Sequence, residues 1–195
     1  MTRAEITRSN ILQSALMLTY RQGYQATSID EILEKTQVTK GAFYYHFRNK
    51  NEMGMALISE ALNNEILPFI EKSLSKGTDF KKNMYQMMHS LLLEHPFMNA
   101  VNGCPTVNLI QEMAPLSDAF RKALLKSLNK WRKAIEDEIT RSQTAGQLSL
   151  DHDAKKIAIH ILTQYHGVRN MGKILGKRYY YTFLKEFKIY IDSLD

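Results

Sequence analysis

The chain is poor in the residues that staple a fold or bind a metal. It has one cysteine in 195 residues, which excludes an intrachain disulfide and a cysteine cluster for zinc. Cys104 reads as a small packing residue or a reactive thiol, and a reducing compartment is expected. No apolar run approaches the roughly 20 residues needed to cross a bilayer. The opening MTRAEITRSNI carries no secretory h-region. A soluble, cytoplasmic protein with no membrane partner is therefore expected. The histidines at 89, 95, 152, 160 and 166 form no convincing ligand set with carboxylates, so no metal and no cofactor is expected. Glycine-rich phosphate loops and nucleophile elbows are missing, and the protein reads as not an enzyme. No stretch alternates with period two, there is no internal repeat, and no Gly/Ser-rich linker divides the chain.

What is present is helical pattern and positive charge. The apolar fraction of 44% is that of an ordinary folded protein. A net charge of +6 with a pI near 9.3 favours a polyanionic partner without proving one.

Residues 27–50, TSIDEILEKTQVTKGAFYYHFRNK, organise the rest. They read as two short helices joined by a tight turn, a helix-turn-helix unit that lays its second helix in the major groove of DNA. A first helix over 6–20 precedes them, with Gly23 as its C-cap. Thr27 or Ser28 caps the next helix, each followed three residues on by a carboxylate. Thr36 and Gln37 make the turn, Val38 plugs it, and Thr39 or Lys40 opens the second helix. Gly41 permits close approach either to another helix or to a DNA backbone. Lysine reaches guanine acceptors and threonine a thymine methyl, so Thr39, Lys40 and Tyr45 are assigned to bases. Thr27 or Ser28, Tyr44, His46 and Lys50 are assigned to phosphates. Tyr44, His46 and Phe47 have packing as the competing explanation.

Beyond this unit, Asn49 and Glu52 form a capping box for a helix to about residue 64. Pro68 interrupts or starts the next piece, a short helix over 65–75, with a break at 76–78. Helices are then expected over 79–95, 108–113, 117–143, 154–175 and 177–191, with a turn at Asn102-Gly103-Cys104-Pro105. The expected fold is all-α with about nine helices. Residues 1–48 form a three-helix DNA-binding module, and 49–195 form a helical regulatory and dimerisation bundle.

The run VTKGAFYYHFRNKNEM, with Ile11, Leu12, Ala15, Gly23, Tyr24, Thr27, Ser28 and Ile32 before it, resembles the N-terminal signature of the TetR family of bacterial transcriptional repressors. Leu33, Thr36 and Gln37 depart from the family pattern, Gln37 standing where a glycine with an unusual backbone angle is common. Asn102-Gly103-Cys104-Pro105 with Asn108, Leu109 and Glu112 resembles a turn and helix found in one subset of members. The resemblance implies a double-stranded DNA operator, a homodimer and a small-molecule effector of unknown identity. It places the dimer contact on the last two long helices, where Tyr165, Val168, Gly172, Tyr180, Phe183 and Phe187 are candidates. It also implies a ligand pocket in the bundle, for which Met84, Met88, His89, Leu92, Phe120, Leu124, Trp131, His160 and Gln164 are candidates; such residues at helical spacing also suit plain core. The expected function is a repressor binding a palindromic operator as a dimer and released by a small molecule. The alternatives are a DNA-binding regulator without such a ligand, or an all-α enzyme with an apolar pocket.

Overall fold

The structure is a computed structural model, described here over residues 1–74 and 79–195. Those residues form nine helices and no strand. Helix α1 is Arg3–Gln22. It starts earlier than its apolar stripe suggests because Thr2 caps it: the Thr2 hydroxyl accepts from the Glu5 amide at 3.2 Å, and the Glu5 carboxylate accepts from the Thr2 amide at 2.7 Å. It ends at Gly23, whose φ of 92° suits glycine. Helix α2 is Ile29–Thr36 and α3 is Lys40–His46.

Helix α4 runs continuously through Lys50–Ala56, a wider π-type stretch Leu57–Leu62, and Asn63–Leu74. Pro68 therefore lies inside a helix and does not begin one. The expected break at 76–78, and Ser75 before it, fall outside the described residues. Helix α5 is Phe80–His89, capped by Asp79, continued by a second π-type stretch Ser90–Glu94. Then follow α6 (Pro105–Met113), α7 (Asp118–Thr144), α8 (Ala154–Leu175) and α9 (Lys177–Asp192).

The chain divides into two units: residues 1–65 with 105–127, and residues 66–104 with 128–195. The unit holding the helix-turn-helix thus takes in the start of α4, all of α6 and the start of α7. Its core is Ile11, Leu12, Ala15 and Leu16 of α1, Ile32 of α2, Phe43 and Phe47 at α3, and Met53, Leu57 and Ile58 of α4, all buried. A helix as short as α2 or α3 is marginal alone, so this burial is what holds it. Close packing at Gly54 adds to it, since a Cβ there would stand 2.6 Å from the Phe120 ring and 2.7 Å from the Tyr24 hydroxyl. Tyr24 and Phe120 themselves meet edge to face at 4.8 Å.

The second unit is built round Met84, Met87, Met88, Leu91 and Leu92 of α5, Trp131, Ile135 and Ile139 of α7, Ile157, Ile161 and Tyr165 of α8, and Tyr180, Leu184, Phe187 and Ile191 of α9. Asn83 is buried among them, its amide donating to Leu74 O at 3.2 Å and to Glu138 at 2.9 Å.

Candidate DNA-reading face

The turn between α2 and α3 is made by Gln37 in the left-handed region, φ 55° and ψ 28°. It is the only described non-glycine residue with positive φ. The conformation expected of a glycine is thus kept by a glutamine, and its side chain compensates by donating to Glu34 O at 2.6 Å. Thr39 caps α3, accepting from the Ala42 amide at 3.2 Å. Lys40 is the first helical residue, so the choice between them resolves with Thr39 outside and Lys40 inside.

Inward, α3 commits Phe43 and Phe47, which are fully buried; Phe47 is core. Outward, Thr39, Lys40, Gly41, Tyr44 and Tyr45 are exposed, Tyr45 most of the aromatics at 78%. Nothing lies within 4 Å of where a Cβ on Gly41 would stand. Gly41 therefore relieves no helix crossing within this chain and faces open space. His46 is half-buried against Tyr45, ring to ring at 5.0 Å.

Three of the expected phosphate contacts are placed less freely. Thr27 is fully buried, and its hydroxyl donates to Gly23 O at 2.7 Å. It serves the turn after α1. Ser28 caps α2, its hydroxyl accepting from the Glu31 amide at 3.1 Å and donating to the Glu31 carboxylate at 2.8 Å. Lys50 is turned back: its ammonium donates to Gln25 O at 3.1 Å and lies 4.7 Å above the Tyr24 ring. Burial holds its pKa below the usual lysine value, opposed by the charges of Glu112 and Glu31.

Glu112 was not among the expected site residues, yet it fastens the reading head. Its carboxylate accepts from the backbone amides of Tyr24 and Gln25, at 2.8 and 2.6 Å. Burial, with Glu112 nearby, pushes the Tyr24 phenol well above its ordinary pKa. A second tie is Arg8, which forks onto Glu60 of α4 and lies 4.9 Å above the Phe47 ring. The expected capping box at Asn49 forms only by half. Asn49 accepts from the Glu52 amide at 2.9 Å, but Glu52 takes the Arg48 amide instead.

Two family models match this chain. Residues 11–57 match the bacterial regulatory proteins of the tetR family, and residues 82–186 match the tetracyclin repressor-like C-terminal domain. The chain belongs to the TetR family. It is a DNA-binding transcriptional regulator. The transcriptional regulator AcuR of Cereibacter sphaeroides is 31% identical over 80% of this chain and 71% of its own length. The transcriptional repressor DhaR of a Mycobacterium species is 23% identical over 88% and 84%. A TetR-family regulator from Cytophaga hutchinsonii shares the fold, with a TM-score of 0.89 over 100% of this chain and 98% of its own at 21% identity.

In this TetR-family chain the nine expected pocket residues are divided between the two units. Met84, Met88, Leu92 and Trp131 are buried in the second unit. Phe120 and Leu124 belong to the first, because the start of α7 packs there, Phe120 against Tyr24. His89 is half-buried and lies 3.2 Å from the Glu94 carboxylate. His160 is exposed, against Tyr190 at 4.7 Å and Gln164 at 2.7 Å. A cleft of about 350 Å³ in the second unit is lined by residues of α9 and the start of α5, including Asp79, Tyr85 and Ile191, and by none of the nine.

The expected dimer residues are also placed differently. Tyr165, Val168, Gly172, Tyr180 and Phe187 are buried within one chain, and Phe183 is half-buried, stacked on Phe187 at 5.8 Å. Gly172 admits Tyr180 of its own chain, since a Cβ would stand 2.3 Å from that ring. The outer face of α8 carries Ile159, Thr163, Gly167, Met171 and Ile174, all exposed and about four residues apart; Tyr181 and Ile189 are exposed on α9. Two faces of α8 are thus apolar, one turned into its own chain and one exposed. Among the described residues no cluster of His, Cys, Asp or Glu could hold a metal, and no helix is long and apolar enough to cross a membrane.

Proposed function

We propose that this regulator is a cytoplasmic repressor that binds a palindromic operator as a homodimer and is released by a small molecule. The observation that carries the reading is the outer side of α3. Lys40, Gly41, Tyr44 and Tyr45 stand exposed with no partner element over Gly41, on a helix whose inner side is fixed by Phe43 and Phe47. Thr39 and Lys40 read bases, Tyr45 follows them into the groove, and Tyr44 meets the sugar-phosphate edge. Ser28, His46 and Lys50 contribute at the rim, Lys50 after leaving Gln25.

The dimer reading rests on the exposed stripe Ile159–Thr163–Gly167–Met171–Ile174. A two-fold contact repeats one patch on both copies, and Gly167 lets two such helices approach. Several relatives are transcriptional repressors, DhaR among them.

Selection of bound duplexes from a random pool tests the proposal. A recovered palindrome, with two-fold complexes in sedimentation, is expected. Enrichment of single half-sites by a monomer would overturn the dimer. Loss of enrichment in Lys40→Ala with unchanged folding is expected; undiminished selection would remove Lys40 from the bases.

A further inference from the structure

Two charged side chains of the second unit are buried, Glu138 and Arg169. Glu138 has Asn83 and Arg141 as partners. Arg169 has no such counterpart: it takes part in none of the ion pairs among the described residues. Its guanidinium donates to Leu91 O and, at 3.5 Å each, to Asn99 O and the Tyr180 hydroxyl. Its Nε–H has no acceptor. The Tyr165 and Tyr180 rings flank it at 5.8 and 5.5 Å. A buried cation held mostly by neutral groups is costly. Burial works against its charge, while the hydrogen bond to the Tyr180 hydroxyl favours it.

The same neighbourhood holds two more unmet nitrogens. Trp131 is fully buried and its Nε1–H has no acceptor; His166 Nε2 has no partner either. Both rings stand beside Tyr165, at 6.2 and 5.7 Å, and beside each other at 6.0 Å. Desolvation pushes His166 down to about 4, so it is neutral at pH 7. Lys173, one turn beyond Arg169, lies against the same loop: a Cβ on Gly103 would stand 2.5 Å from Lys173 Cε and 3.3 Å from Arg169 O. Native interiors leave few buried polar atoms unpaired. Here two unmet N–H donors, one of them on a charged group, stand round the Tyr165 ring.

We infer that the effector is a small organic carboxylate, bound in the second unit with its oxygens on Arg169 Nε–H and Trp131 Nε1–H and its apolar body against the Tyr165 ring. This rests on the reading of a ligand-released regulator and names the chemistry of that ligand. A guanidinium edge matches a planar carboxylate. The rings of Trp131 and Tyr165, with the Met98 sulfur 3.6 Å from the Tyr165 hydroxyl, favour a ligand with a hydrocarbon part over a hydrated inorganic anion.

Trp131 is the protein's single tryptophan, so fluorescence excited selectively at tryptophan reports on this place alone. The full chain is titrated with butyrate, with butyramide and inorganic phosphate as controls, while melting temperature is followed. Butyrate should shift the fluorescence saturably and raise the melting temperature; the amide and phosphate should do neither. Arg169→Lys, which keeps the charge but not the Nε–H edge, should bind at least about tenfold more weakly. Arg169→Met should not respond. Should Arg169→Met fail to fold, Arg169→Lys carries the test. No response to butyrate, an equal response to butyramide, or undiminished binding by Arg169→Lys would each overturn the site; the first outcome would leave buried water as what meets these donors. Operator release is measured in parallel. Butyrate binding without release would overturn the release reading and keep the site. Release by uncharged compounds alone would do the reverse.

Discussion

The two units differ in the buried polar groups they leave unmet, although carboxylates cap helices in both. In the first, carboxylates close the backbone wherever a short helix or turn exposes it: Glu5 at Thr2, Glu31 at Ser28, Glu52 at Arg48 and Glu112 at Tyr24 and Gln25. Its buried side-chain oxygens without a partner are the hydroxyls of Thr19 and Thr106. In the second, the unmet atoms include the Nε of a buried arginine and an indole N–H. Unpaired groups of that kind are costly. The reading head leaves only two hydroxyls unmet, whereas the bundle leaves nitrogen donors unmet as well as oxygens. That division suits a molecule in which one part presents a fixed surface and the other answers to a small partner.

The comparison is broken most severely at the aromatic centre of the head. Phe43→Ala removes a fully buried ring from a seven-residue helix and should cost about 3–5 kcal/mol in urea unfolding, with operator binding lost. A cost under about 1 kcal/mol would mean the head is not held by its core. The next effect belongs to the bundle and is read by pH. His166 titrates near 4 when folded against an ordinary 6.5, so between those values the unfolded chain binds the extra proton. Stability present above pH 6.5 should fall by about 3 kcal/mol as pH drops to 4. His166→Phe should flatten that slope; an unaltered slope would place the titration elsewhere.

Glu112→Ala unfastens two backbone amides and should cost about 1–3 kcal/mol in thermal unfolding, with weaker DNA binding. Gln37→Gly relieves the left-handed angle at the loss of one hydrogen bond, and a gain below about 1 kcal/mol is expected. Smallest of all, Lys40→Ala should leave stability within about 0.5 kcal/mol while specific affinity falls by about 1–3 kcal/mol. Lys50→Ala should instead weaken binding to all sequences and lower the salt dependence.

The helices were legible because their apolar periods are regular: Phe80, Met84, Met87, Met88, Leu91 and Leu92 are all inward as the 3.6-residue spacing requires. The reading helix was legible because its polar and aromatic residues have no structural partner to explain Lys40 and Gly41. What stayed hidden depends on partners distant in sequence. Thr27 and Lys50 look unengaged in the sequence, and only the fold shows their hydrogen bonds to Gly23 O and Gln25 O. Glu112 shows its use only when folding brings it to residues 24 and 25. On α8, periodicity could not tell the face turned to its own chain from the face turned out, because both are apolar.

The π-type stretch Leu57–Leu62 carries a consequence for chain length. Such a turn closes on i→i+5 bonds and so takes up one residue more than an α-turn. Removing one residue from 57–62 should therefore restore an ordinary helix and leave Ile66 and Ile70 facing inward, as they are now. Removing one residue between 63 and 66 should instead turn the rest of α4 by about 100° and bring its polar face to the core. The stretch is a place where this helix tolerates a deletion.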